Sequence, residues 1–395
     1  MSEWRKVTFG DIVAMSNGTN FTKDSFGTGL KILGVRDFGD RTVPNWSALD
    51  EVKATAVSSE RQLLAEGDLV FVRSNGNPAL VGRSMLITAG PKATHSAFTI
   101  KARPDRDLVE PRFLAYQMRN AHRVGAMRAA NGTNITNLSQ PILASVPVLI
   151  PPRATQKQVL GVLGSIDELI ENNRRRVEVL EEMARAIYRE WFVKFRYPGY
   201  EDVPLVDSAL GPIPEGWEAG TVGDVLELKY GKALKADMRR GGAVAVVSSA
   251  GIVGWHDEAV ADGPSIVVGR KGNVGSVHWV DVACWPIDTA YYVDTNLPLR
   301  FVAEQLRRTE FTNTHAAVPG LSREGAYARP FLIPSPHLLE SFESLVDPFG
   351  AESSALNTLG GKLAHLRDLL LPKLVTGQID ISTLDIDAVL EDAVA

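Results

Sequence analysis

A chain that repeats itself at long range has to build two similar domains, and this one does. Trp4, Thr8, Gly10, Asp11 and Ile12 recur with the same spacing as Trp217, Thr221, Gly223, Asp224 and Val225, 213 residues further on, and Gly18 falls on Gly231 at that offset. Leu138, Ser139, Pro147, Ile150 and Pro151 recur as Leu321, Ser322, Pro330, Ile333 and Pro334, now 183 residues apart. The second copy has therefore lost length between these landmarks. The period far exceeds the roughly 20–50 residues of a solenoid, so two homologous domains are implied.

Within each copy the pattern reads as strands joined by polar loops. Gly67 to Arg73 is a turn feeding a buried strand, and Ser265 to Arg270 repeats it. Both strands end in an arginine followed by Gly-Asn chemistry: Arg73, Ser74, Asn75, Gly76 and Asn77 in one, Arg270, Lys271, Gly272 and Asn273 in the other. A second strand is expected from Val81 to Ile87 and from Val274 to Val280.

After each copy comes a long helical pattern. The first runs over about residues 155–194, with Ile166, Ile170, Val177, Leu180, Ala184, Ile187 and Trp191 at three- to four-residue spacing. The second covers about 337–371, striped by Leu356, Leu359, Leu363, Leu366 and Leu370. Each could cover its own domain, but about 40 residues would span roughly 60 Å. Two such stripes predict helices packed along each other. The expected fold class is α/β (α+β) domains in tandem repeat, separated by two long helices that form an antiparallel coiled coil. The boundaries read 1–150, 151–200, 201–333 and 334–395.

Composition narrows the function. Of the 395 residues 45% are hydrophobic and 23% charged, as in an ordinary globular protein. No apolar run reaches membrane-span length, and the first residues carry no apolar leader segment, so a cytoplasmic chain is expected. The lone cysteine, Cys284, excludes internal disulfides and cysteine-rich metal sites and reads as a buried thiol. The net charge of −5 is uneven: residues 1–150 hold 18 Lys and Arg against 13 Asp and Glu, while residues 334–395 hold 3 against 10. Charge by itself does not point to DNA; it allows weak binding, with a partner supplying much of the phosphate grip.

Three segments carry a family resemblance. They are Trp191 to Gly199 leading through Leu210, Gly211, Pro212, Ile213 and Pro214 to Trp217; the ending Leu369 to Ile379 with Pro372, Lys373 and Gly377; and the strand-loop unit Arg270, Gly272, Gly275 and Val277. With the repeat and the paired helices, they make the whole chain resemble the specificity (HsdS) subunits of type I restriction–modification systems. The resemblance implies two target-recognition domains, each reading one half of a split, asymmetric site in double-stranded DNA. It also implies helices that hold the readers apart and dock two methyltransferase subunits, with nuclease–translocase subunits joining for cleavage. No cofactor is then expected in this chain; S-adenosylmethionine belongs to the methyltransferase, and ATP and magnesium to the nuclease.

Sequence readout needs Arg, Lys, Asn or Gln on loops that enter a groove. The strand-end loops offer Arg73, Ser74, Asn75, Asn77 and Arg83 in the first domain and Arg270, Lys271 and Asn273 in the second. The alternative is an ordinary polar hairpin. Glycines 76, 82, 272 and 275 are expected to bring backbone close to phosphate. A second candidate is the polar stretch with Asn131, Thr133 and Asn134; His95, Ser96 and Arg323 are further candidates. Catalysis finds no support. Asn77-Pro78-Ala79-Leu80 lacks the second proline and the aromatic of an adenine methyltransferase motif, and Gly231-Lys232 and Gly361-Lys362 lack the rest of a phosphate-binding loop.

Overall fold

The computed structural model describes residues 4–39, 41–127, 137–311, 320–379 and 381. It divides into two units, one formed by the chain up to Asn172 and from Leu359 onward, the other by Asn173–Thr358.

In the first unit the strands are β1 (Arg5–Thr8), β2 (Val13–Asn17), β3 (Phe26–Leu33), β4 (Glu51–Val52), β5 (Leu69–Val72), β6 (Ser84–Leu86), β7 (Ala93–His95) and β8 (Thr99–Pro104). Helices α1 (Pro111–Arg123) and α2 (Gln140–Ala144), strand β9 (Pro147–Ile150) and the long helix α3 (Arg153–Tyr188) follow. After a small hairpin, β10 (Leu205–Val206) with β11 (Ile213–Pro214), the second unit runs through β12 (Glu218–Thr221), α4 (Val222–Val225), β13 (Leu226–Tyr230), β14 (Val244–Ser248), β15 (Gly251–His256) and β16 (Ser265–Gly269). It continues with β17 (Val277–Val280), β18 (Cys284–Pro286), β19 (Ala290–Thr295), α5 (Leu299–Arg308), α6 (Arg323–Tyr327), β20 (Pro330–Ile333) and the first part of the long helix α7 (Pro336–Val375), whose residues from Leu359 belong to the first unit, as those of α3 from Asn173 belong to the second.

The duplication is reproduced strand by strand. Four-stranded sheets of order β2-β8-β5-β6 and β13-β19-β16-β17 match, as do three-stranded sheets β4-β3-β7 and β15-β14-β18, each with one antiparallel and one parallel pairing. β5 and β16 lie inside their sheets, and every residue of both is buried, which explains their unbroken apolar runs.

The repeated Thr-x-Gly-Asp has a physical basis. The Asp11 carboxylate accepts from the Thr8 backbone N–H at 2.9 Å and its hydroxyl at 2.7 Å; Asp224 does the same for Thr221, both at 2.7 Å. Each pair caps the turn after the first strand. Gly10 and Gly223 are required because a Cβ there would meet the Cβ of Ala144 or Tyr327 at 2.9 Å, where the short helix α2 or α6 packs.

Both long helices form, with altered ends. α3 stops at Tyr188, and Arg189–Val193 form a π turn closed by Lys194 N–H to Arg189 O at 3.0 Å, before Phe195 at φ 58° leaves the helix. The wide turn turns Phe192 into an aromatic cluster with Tyr188, Phe301 and Phe342. α7 runs past Pro372 to Val375, because Leu371, Leu374 and Val375 are buried there, and Gly377 at φ 73° follows.

In the first unit, Val159, Leu163 and Ile166 of α3 share one core with Leu363, Leu371 and Leu374 of α7. In the second unit Arg176 pairs with Glu352, and the ring of Tyr188 meets that of Phe342, so the helices run antiparallel. The second strands are shorter than expected. A turn at Pro78–Leu80 and positive φ at Gly82 delay β6 to Ser84, and positive φ at Gly272 and Gly275 delays β17 to Val277.

Candidate nucleic-acid interface

Arg73 and Arg270 sit in the same backbone cradle. The N–H groups of Arg73 and Ser74 donate to Phe98 O at 2.8 and 3.4 Å, and those of Arg270 and Lys271 donate to Thr289 O at 2.9 and 3.0 Å. The carbonyl of Arg73 accepts from Leu138 N–H at 2.7 Å, and that of Arg270 from Leu321 N–H at 2.8 Å. Ser74 then bridges to Asn137, and Lys271 to Gly320. The end of the central strand is thus pinned on both edges while the side chains stay at least partly exposed.

The second unit surrounds its arginine with rings. The Arg270 guanidinium lies 5.0 Å from the Tyr230 ring and 5.8 Å from that of Tyr291, and donates to Asp288 O at 3.2 Å. Arg323, the first residue of α6, lies 5.4 Å from the same Tyr230 ring and 5.6 Å from that of Tyr327, with Glu227 at 3.9 Å. Cation–π contact of this kind fixes a guanidinium's plane while leaving its N–H edges available. Tyr291 donates to Leu321 O at 2.9 Å, and burial, with Tyr230 beside it, holds its phenol above the usual range. Lys271 and Asn273 are exposed on the same loop. The tyrosines escaped the sequence reading because they come from β13, β19 and α6, which only the sheet brings together.

In the first unit the loop is held by its own amides. Asn75 Oδ1 accepts from Asn77 N–H at 2.7 Å, and Asn77 Oδ1 accepts from Ala79 N–H at 3.0 Å, capping the turn at Pro78. Arg83 donates to Gly39 O. Asn77 and Arg83 line a cleft of about 720 Å³ with Arg41, Arg119, Arg123 and Arg367, and Asp368 is the one carboxylate among its described lining residues. Asp167 pairs with Arg367 at 3.0 Å and Arg119 at 3.5 Å, and Glu171 lies 4.0 Å from Arg41, so these arginines are partly neutralised and keep only an excess of positive charge. Apart from Arg119 and Arg123, one turn apart on α1, these arginines come from distant parts of the sequence, so no local motif announces the cluster.

Several expectations need correction. His95 is fully buried, bonded through Nδ1 to Thr99 Oγ1 at 2.9 Å, and cannot face a groove. Gly82 and Gly275 serve internal packing: a Cβ there would lie 3.0 Å from Met127 Sδ and 2.7 Å from Phe311 Cβ respectively. Gly76, with nothing within 4 Å, is open. Asn131, Thr133 and Asn134 lie outside the described residues. Cys284, by contrast, is buried as expected, and burial pushes its thiol up. Among the described residues no cluster of His, Cys, Asp or Glu could hold a metal ion, and no helix is long and apolar enough to cross a membrane.

Residues 1–182 match the type I restriction modification DNA specificity domain. The chain is 24% identical over 289 residues to the type I restriction enzyme MjaIX specificity subunit of Methanocaldococcus jannaschii, covering 65% of this chain and 66% of that one. It is 23% identical over 183 residues to the MjaVIII specificity subunit of the same organism, covering 46% and 41%. A further relative from that organism is matched over 52% of its length, so the chain spans about half the length of the curated relatives it resembles. In fold it is similar to the type I restriction–modification S subunit from M. genitalium, with a TM-score of 0.51, 15% identity and 95% and 96% of the two chains covered.

Proposed function

We propose that this chain, similar to the specificity subunits of type I restriction–modification systems, reads a bipartite, asymmetric site in double-stranded DNA, one half-site per repeated domain. The observation that carries this reading is the matched cradle of Arg73 and Arg270, which offers a guanidinium at the same strand end of two homologous domains. The long helices then act as a spacer between the readers and as the docking surface for two methyltransferase subunits, to which nuclease–translocase subunits add. The chemistry resides in those partners, with S-adenosylmethionine in the methyltransferase and ATP and magnesium in the nuclease. This chain contributes recognition in the cytoplasm.

Sequencing of methylated bases in the host, with and without this gene, tests the reading. Loss of one split motif on deletion is expected. A methylome identical in the two strains would defeat it. A scaffold that never touches DNA is separated by gel shift with the partner methyltransferase at stated salt: the scaffold predicts the same shift with and without this chain.

A further inference from the structure

The two domains share a backbone cradle but not the side chains beside it. Tyr230 ends β13, and Asn17 ends β2, at the offset that aligns Trp217 with Trp4. Arg323 opens α6, and Gln140 opens α2, at the offset that aligns Ser322 with Ser139. The aromatic-guanidinium pair of the second domain, Arg323 over Tyr230 at 5.4 Å, is thus replaced in the first by an amide pair, with Gln140 Nε2 donating to Asn17 Oδ1 at 3.0 Å. Asn17 and Tyr230 are both exposed, on the outer strand of matching four-stranded sheets.

These pairs differ in what they can hydrogen-bond. The amide contact consumes one Gln140 N–H and an Asn17 oxygen lone pair. It leaves Gln140 Oε1 as an acceptor beside Asn17 Nδ2 as a donor. An acceptor next to a donor complements the major-groove edge of adenine, whose N6–H donates and whose N7 accepts. A guanidinium presents two parallel donors and complements guanine, whose O6 and N7 both accept. The Tyr230 and Tyr327 rings, with the Glu227 carboxylate at 3.9 Å, place the Arg323 guanidinium in advance of binding.

We infer that positions 17 with 140 and 230 with 323 are equivalent base-reading pairs, the first taking an adenine and the second a guanine. The inference rests on the DNA-reading function proposed above. It assigns one A·T pair in the first half-site and one G·C pair in the second to named side chains.

The test uses the full chain with its partner methyltransferase and reads the methylated motif. The double variant Asn17→Tyr with Gln140→Arg should convert one A·T pair of the first half-site to G·C and leave the second half-site as it was. Tyr230→Asn with Arg323→Gln should do the converse. As milder variants that keep the fold, Gln140→Ala and Arg323→Lys should relax one position in their own half-site, with discrimination falling about 5- to 150-fold. A wild-type first half-site without any A·T pair, a motif unmoved in every variant, or affinity lost evenly across sequences would overturn the pairing. Absence of any gene-dependent split motif, wild type included, would instead defeat the underlying DNA-reading function.

Discussion

Arg367 on α7 and Asp167 on α3 meet in the first unit, with Nη1 and Oδ1 3.0 Å apart and both side chains largely buried. Asp167 also accepts from Tyr116 Oη at 2.6 Å and lies 3.5 Å from Arg119, so one carboxylate ties α1, α3 and α7 together. Burial, reinforced by that carboxylate, holds the Tyr116 phenol well above its usual range.

Asp167→Ala should therefore destabilise the first unit, because it removes the acceptor of the Tyr116 hydroxyl and the carboxylate facing Arg119, and leaves Arg367 with Asp368 alone. The expected loss is about 2–3 kcal/mol, and roughly 5 °C in its melting midpoint. Calorimetry of the full chain measures it. A midpoint within a degree of wild type would mean that the tie contributes nothing.

A pH dependence follows from His95. Thr99 Oγ1 donates to Ser96 O at 2.7 Å, so it accepts from His95 Nδ1–H, and Nε2 is buried with no partner among the described residues. Burial, and then the charge of Lys101, lower the His95 pKa to about 4 from 6.5. The ring is neutral in the fold and gains its proton more readily when unfolded. Its contribution is complete above pH 6.5 and is lost as pH falls toward 4, amounting to roughly 3 kcal/mol. Denaturation of wild type and His95→Asn between pH 7 and 4.5 isolates this term from the carboxylates. The wild type should lose more stability over that window; parallel curves would rule the histidine out.

Replacing Arg73 or Arg270 with Ala should damage one half-site each. Where the arginine reads guanine, about 1–3 kcal/mol is lost and that position relaxes. Where it grips phosphate, affinity drops across all sequences and the salt slope falls by about one. Binding titrations at several salt concentrations distinguish these. Unchanged binding in both variants would remove the strand-end loops from the interface.

The spacer role makes a geometric prediction. Tyr188 is buried in the second core, so an insertion near it would disturb a reader; Asn172 and Thr358 are exposed mid-helix positions. Four residues added after each lengthen the helices by about 6 Å. With base pairs about 3.4 Å apart, the gap between half-sites should grow by one or two base pairs while both half-sites keep their sequences. An unaltered gap in a complex that still methylates would refute the spacer.

The sequence by itself determined the duplication, the buried central strands, the two long helices and the strand-end arginines. These are periodic or local signals, written in neighbouring residues: Leu69–Val72, the leucine stripe from Leu356 to Leu370, the Thr8–Asp11 cap. It could not show that Tyr230 and Tyr291 converge on Arg270 and that Arg323 shares the Tyr230 ring, nor that Asn17 and Gln140 pair at the equivalent place, because those residues lie up to 123 positions apart and meet only when the sheet forms. Helix ends were set the same way. The leucine stripe placed the end of the second helix near 371, but burial of Leu374 and Val375 in the first core carries α7 onward. His95 shows the same limit from the other side: a polar residue followed by a serine reads as exposed, and only the tertiary structure closes the core over it, because its strand β7 is covered by neighbours drawn from elsewhere in the chain.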